Sequence, residues 1–303
     1  MRFRGSFTAI ITPFDGDDVD FATFDRLIDA QIAGGTHGLI ACGTTGESPT
    51  LDHHEHASIV ERCVARVKGR IPVIAGTGSN CTKKAVDMTR HAREAGADAA
   101  LVVTPYYNKP TQDGLIAHYT TIADAVDIPL FIYNIPGRCV VDMTTETMAV
   151  LAKHKNIIGV KDATGDLSRV KKIATACGAD FIQLSGEDGL IGDYMEQGGH
   201  GCIGVTANIA PALCATMHKA WIAGDKDKFH DIARSLLPLH AAMFCETSPA
   251  PVKYAAQRLG FGSDAVRLPL VPASAKARAT VDQALEQLGL LSGGDGSILR
   301  AHG

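Results

Sequence analysis

The sequence predicts an α/β protein, a (β/α)8 (TIM) barrel carrying a C-terminal helical extension, and three observations predict it. Short apolar runs rich in strand-forming residues recur from the first residues onward, amphipathic helical stretches separate them, and eight such runs occur before the strands stop after Ala207. Regular alternation of this kind means parallel strands joined by crossover helices, and eight repeats fit a closed barrel. A doubly wound open sheet is the competing architecture. It calls for a Gly-rich dinucleotide turn after the first strand, where PFDGDDVD stands instead.

The strands are expected at FTAIITPF (7–14), HGLIACG (37–43), PVIAGTG (72–78), AALVVTP (99–105), PLFIYNI (129–135), IIGVKDA (157–163), FIQLSGE (181–187) and GCIGVTA (201–207). Helices with readable starts and stops lie between them: Asp20 to Ala33 before Gly34-Gly35, Asp52 to Lys68 before Gly69, Thr82 to Ala95 before Gly96, Thr111 to Val126, and a segment from the Thr144-Thr145 cap to Leu151. Beyond the last strand only helices follow, Pro211 to Ile222, Lys226 to Met243, Pro251 to Leu259 and Ala273 to Leu288. The expected organisation is a catalytic barrel over 1–224, a helical subdomain over 225–290 and a flexible tail over 291–303.

Composition narrows the function. Of 303 residues, 46% are hydrophobic and 20% charged, enough to bury a large core. A net charge of −4 leaves no basic surplus to neutralise phosphates, so nucleic acid is not an expected partner. No run approaches the ~18 apolar residues of a membrane span, and MRFRGSFTAI leads straight into a strand, so no membrane partner and a cytoplasmic location are expected. The eight cysteines are scattered without a C-x-x-C pair and read as small buried hydrophobes. DHHEH (52–56) lacks HExxH spacing or a third ligand and reads as a solvated first turn, while DGDDVD (15–20) has Arg26 at the twelfth position of a calcium loop; no metal is expected.

The chemistry of such barrels sits where the strands end. The second ends in GTTGES (43–48), the fourth in TPYYN (104–108), the fifth in YNIPGR (133–138), the sixth in KDATGD (161–166), the seventh in SGED (185–188) and the eighth in GVTAN (204–208). Strand parity puts Ile157, Gly159 and Lys161 on one face, and Phe131 with Tyr133 on one face of the neighbouring strand, so Lys161 and Tyr133 should meet in the barrel mouth. Lys161 is either a structural charge paired with Asp162 or Glu187, or an amine freed of its proton by burial to act as a nucleophile. GTTGES offers consecutive backbone N–H groups suited to a small carboxylate and lacks the lysine of a nucleotide-binding P-loop. Tyr133 and Tyr107, linked through Thr44, could relay a proton, and Arg138 could hold a second carboxylate bidentately.

GTTGE, YYNKP, YNIPGR and GVKDATGD, in that order and over roughly residues 3 to 290, resemble the dihydrodipicolinate synthase family, pyruvate-dependent lyases related to N-acetylneuraminate lyase. The resemblance implies that Lys161 forms a Schiff base with pyruvate, which then adds to the aldehyde of aspartate 4-semialdehyde, the first committed step towards diaminopimelate and lysine. It implies that Thr45, beside Thr44, holds the pyruvate carboxylate, that Tyr133 moves protons, and that Arg138 receives the semialdehyde carboxylate while Gly186 and Ile203 line the pyruvate pocket. Tyr107 would come from a neighbouring subunit, in a homotetramer built from tight dimers, and no cofactor is needed beyond the covalent pyruvate imine on Lys161. Ser48, His53, His56, Asn80 and Tyr106 match the family's allosteric lysine site, with Lys84 where an acidic residue is often found. Cys139 follows Arg138 where the synthases often carry threonine. The alternatives are a related lyase acting on a sugar acid or other aldehyde, and a keto-acid-binding barrel without turnover.

Overall fold

The computed structural model describes residues 2–291. Eight parallel strands close into a barrel: β1 (Gly5–Ala9), β4 (Gly38–Ala41), β5 (Val73–Gly76), β6 (Ala99–Val103), β7 (Leu130–Asn134), β8 (Ile157–Asp162), β9 (Ile182–Ser185) and β10 (Gly201–Gly204), with β1 pairing both β4 and β10. The run expected at 7–14 is one strand only as far as Ala9. Pro13, which has no N–H to give a ladder, and the turn at Gly16 divert the chain into an antiparallel hairpin of β2 (Phe14–Asp15) and β3 (Asp18–Val19).

Alternation sorts the side chains into two layers. Phe7, Ala9, Ile40, Ile74, Ala99, Leu101, Phe131, Tyr133, Leu184 and Ile203 fill the barrel. Leu39, Ala41, Val73 and Ala75 pack outward in one cluster, and Ala100, Val102, Leu130 and Ile132 in another. The crossovers are α1 (Phe21–Ala33), α2 (His53–Val67), α3 (Thr82–Glu94), α4 (Gln112–Ala125), the single turn α5 (Pro136–Cys139) with α6 (Thr145–Leu151), α7 (Ser168–Cys177), α8 (Ile191–Glu196) and α9 (Pro211–Ile222). Asp20, Asp52, Thr111 and Thr144 cap four of them at the predicted starts, Asp52 in a capping box with Glu55. Neither α7 nor α8 was expected, and neither has a side-chain N-cap to announce it.

The remaining helices are α10 (Lys226–Met243), α11 (Ala250–Arg258) and α12 (Ala275–Gln287). Their apolar faces, with Phe229, Leu236, Leu239, Val252, Val281 and Leu285, belong to the same core as the outer layer of β4 and β5. The tail predicted from 291 falls, from 292 on, outside the described residues.

Parity fails at one place. Between Leu130 and Phe131 the partner register steps from Ile157 to Gly159, so β8 carries one extra residue, a bulge. Ile157 consequently packs outward and Ile158 inward, the reverse of the expectation that Ile157 shares a face with Lys161. Beyond the bulge the register is regular, Tyr133 opposite Lys161 and Asn134 opposite Asp162.

Candidate active site

Lys161 lies at the C-terminal end of β8 and is 6% exposed. Its Nζ stands 4.2 Å from the centroid of the Tyr133 ring, the meeting that the sequence predicted. Neither proposed carboxylate holds it. Asp162 points to the other side of the strand, where it accepts from Arg169 Nε at 3.0 Å and from Thr164, and no carboxylate among the described residues pairs with the Lys161 amine. Burial raises the Glu187 pKa, and the attraction of Lys161 opposes that rise. The lysine stem is confined by Gly186, where a Cβ would stand 3.1 Å from Lys161 Cε and 2.6 Å from Ala163 Cβ. Gly186 N–H donates to Asp162 O at 2.7 Å, which ties the loop after β9 against the end of β8.

GTTGES forms a tight turn. The N–H groups of Gly46, Glu47 and Ser48 are used inside it, to Gly43 O and Thr44 O; those of Thr44 and Thr45 are not among them. Glu47 holds the turn in a left-handed conformation at φ 55°, uncommon for a residue with a side chain. Of the six such non-glycine residues among those described, all but Lys68 are in loops that follow barrel strands: Cys42, Glu47, Tyr107, Lys109 and Val140. Backbone strain therefore gathers at the face where the polar strand ends are.

A cavity of about 600 Å³ opens on this face. Thr44, Tyr133, Arg138 and Cys139 line it together with Ser48, His53, His56, Asn80, Lys84 and Tyr106, so the two groups of predicted residues share one space. Lys161, Thr45, Gly186 and Ile203 are outside the lining: Lys161 reaches it through Tyr133, Thr45 is buried in the turn, and Ile203 is fully buried in the barrel. Arg138 is exposed and donates to the Ser248 carbonyl at 3.4 Å, a contact across 110 residues that nothing in the local sequence signals. Cys139 is buried, and burial pushes its thiol pKa up.

Tyr107 does not join this group. It is 90% exposed at φ 72° and is not among the residues that line the cavity. His56 corrects an expectation. His53 and His54 are exposed, but His56 is buried with Nε2 2.8 Å from Gly76 O, and burial lowers its pKa. Among the described residues no three His, Cys, Asp or Glu side chains gather as metal ligands, and no helix is long and apolar enough to cross a membrane.

Fold and site define a class, a (β/α)8-barrel lyase with its polar side chains gathered at the C-terminal ends of the strands. The chain belongs to the Dihydrodipicolinate synthetase family, which it matches over residues 2–288. It is 57% identical over 290 residues to the 4-hydroxy-tetrahydrodipicolinate synthase of Rhodospirillum centenum, covering 96% of this chain and 100% of that protein. Among solved structures it resembles the dihydrodipicolinate synthase of Thermotoga maritima, with TM-score 0.94, 40% identity and coverage of 96% and 100%. It also resembles the chloride-inhibited enzyme of Acinetobacter baumannii complexed with pyruvate, with TM-score 0.92, 42% identity and coverage of 95% and 99%.

Proposed function

We propose that this chain condenses pyruvate with L-aspartate 4-semialdehyde through a Schiff base on Lys161, giving 4-hydroxy-tetrahydrodipicolinate for diaminopimelate and lysine synthesis. The observation that carries the assignment is the Lys161 amine, buried at a strand end, without a carboxylate partner among the described residues and in contact with the Tyr133 ring. The amine attacks C2 of pyruvate and, with loss of water, forms an imine. The iminium withdraws electrons, the pyruvate methyl group loses a proton, and the resulting enamine carbon attacks the aldehyde. The amino group of the adduct then displaces Lys161 from the imine carbon, which closes the ring and frees the enzyme. The imine is the electron sink, so the family uses no external cofactor.

Tyr133 and Thr44 move the protons, a reading that their position on the cavity wall supports. Thr45 holds the pyruvate carboxylate, with the backbone at Gly186 and Ile203 forming the rest of the pocket. Arg138 receives the semialdehyde carboxylate, which its place on the cavity wall supports. Tyr107, with Val140 at 68% exposure, belongs to a surface that a second subunit covers, in a tight dimer and then a homotetramer. The barrel over 1–224 carries the chemistry, the helices of 225–290 form an appended subdomain, and the enzyme works in the cytoplasm.

Borohydride reduction in the presence of pyruvate, followed by peptide mass spectrometry, tests the assignment. A pyruvyl adduct is expected on Lys161. An adduct on another lysine, or none, removes Lys161 from the mechanism; binding of pyruvate without any adduct favours a binding protein.

A further inference from the structure

Glu47 is the one acidic residue of GTTGES; it is not among the residues that line the cavity, and its side chain reaches the C-terminal helices. Its Oε1 accepts from Lys253 Nζ of α11 at 2.6 Å and its Oε2 from the Arg267 N–H at 2.9 Å. Both members of the ion pair are fully buried, with side chains 0% exposed. Lys253 Nζ also lies 4.0 Å from the Phe14 ring centroid and the Arg267 guanidinium 4.3 Å from it, so one aromatic ring contacts both cations. Arg267 continues the attachment, donating to Thr50 O at 3.1 Å and to Glu55 at 2.6 Å.

The backbone of Glu47 belongs to the turn itself. Its N–H donates to Thr44 O at 3.1 Å, its left-handed φ of 55° sets the turn, and the preceding Gly46 carbonyl accepts from Thr12 Oγ1 at 2.8 Å. One residue therefore joins the two-threonine turn to a helix 206 positions away in sequence.

We infer that the buried Glu47–Lys253 pair makes α11 a positioning element of the active site, fixing the Thr44-Thr45 turn in the conformation that receives the pyruvate carboxylate. The inference rests on the assignment of that turn to pyruvate binding. Neither residue touches substrate. A buried pair is weak evidence for stability, since neutral replacements of similar volume are often tolerated; its better-attested use is to select one arrangement among alternatives. Here the geometry fixed is that of a turn held in an uncommon backbone conformation.

The test uses Glu47→Gln, Lys253→Met and the double variant, in the full-length enzyme. Each single change leaves one buried partner unmatched and is expected to destabilise; the double change leaves no unmatched charge, so it keeps the fold available for kinetics. Active sites are counted by borohydride trapping at saturating pyruvate. The expected result for the double variant is a thermal midpoint near that of the parent with KM for pyruvate raised about tenfold and kcat per trapped site changed less than about threefold, as for loss of positioning and not of chemistry. Recovery of the midpoint together with a parental KM for pyruvate would show the pair to be structural only and overturns the inference. Failure of the parent enzyme to trap pyruvate on Lys161 instead strikes the underlying assignment, so the two failures are distinguishable.

Discussion

Replacing Gly186 with alanine should slow catalysis about a hundredfold in an enzyme that still folds. The φ of Gly186 lies outside the left-handed region, so alanine meets no backbone penalty there, and the whole effect is steric. The new Cβ would stand 2.6 Å from Ala163 Cβ and 3.1 Å from Lys161 Cε, whereas ordinary contact begins at 3.4 Å. About 0.8 Å must therefore be found between the loop and the end of β8. The loop cannot supply it by retreating without breaking the 2.7 Å bond from Gly186 N–H to Asp162 O, so the shift falls on the segment that carries Lys161. A misplacement of about 1 Å at a reacting group costs about a hundredfold in rate, or about 2.7 kcal/mol of barrier. Overpacking of this kind costs about 1–3 kcal/mol of stability, a fall of a few degrees in the thermal midpoint. The assay is kcat/KM with pyruvate and aspartate semialdehyde, the rate of borohydride trapping, and thermal unfolding. Gly189→Ala is the control, because a Cβ there meets nothing within 4 Å. A Gly186→Ala enzyme with kcat/KM within threefold of the parent, and a lowered midpoint, would refute the claim that this glycine keeps the space Lys161 needs.

Two further outcomes follow from buried or unmatched charge. Burial lowers the pKa of His118 to about 4 and of His218 to about 3, and both side chains are almost inaccessible. Unfolded histidine takes up its proton near pH 6.5, so between pH 6.5 and 4 the unfolded chain binds more protons than the folded one; stability is full above that window and falls as the pH drops through it. The loss at pH 5 is about 2 kcal/mol for each histidine, and a urea midpoint that does not fall between pH 7.5 and pH 5 would contradict it. The second outcome concerns feedback. Lys84 lines the cavity beside Ser48, His53, His56, Asn80 and Tyr106, while the neighbouring Asp87 is engaged by Arg90 at 3.2 Å. A lysine effector would meet a like charge there, so half-inhibition is expected no lower than the millimolar range, and a micromolar value in a steady-state titration would overturn the reading.

Much of this was legible in the sequence, because the signals are local. Helix starts at Asp20, Asp52, Thr111 and Thr144 are written in a capping side chain and the amide it accepts from, at most three residues apart. The barrel follows from strand periodicity and the regular return of helices, and the list of polar strand ends already contained Lys161 and Tyr133 because chain direction alone says which end of a parallel strand opens on the active face. The family motifs added roles that no single residue carried.

What the tertiary structure decided depends on pairings between distant parts of the chain. The extra residue in β8 is visible only as a step in register against β7, and it reversed Ile157 and Ile158 while leaving Lys161 in place. In sequence His56 is part of a polar first turn, and only the packing of Gly76 against it buries the side chain. Glu47 and Lys253 are 206 residues apart and no local pattern joins them; only the fold buries both and brings them within 2.6 Å. Sequence periodicity reports which face of an element is apolar, because that is a property of one segment. Which charge meets which is a property of the packed whole, since each partner's burial is compensated only by the other.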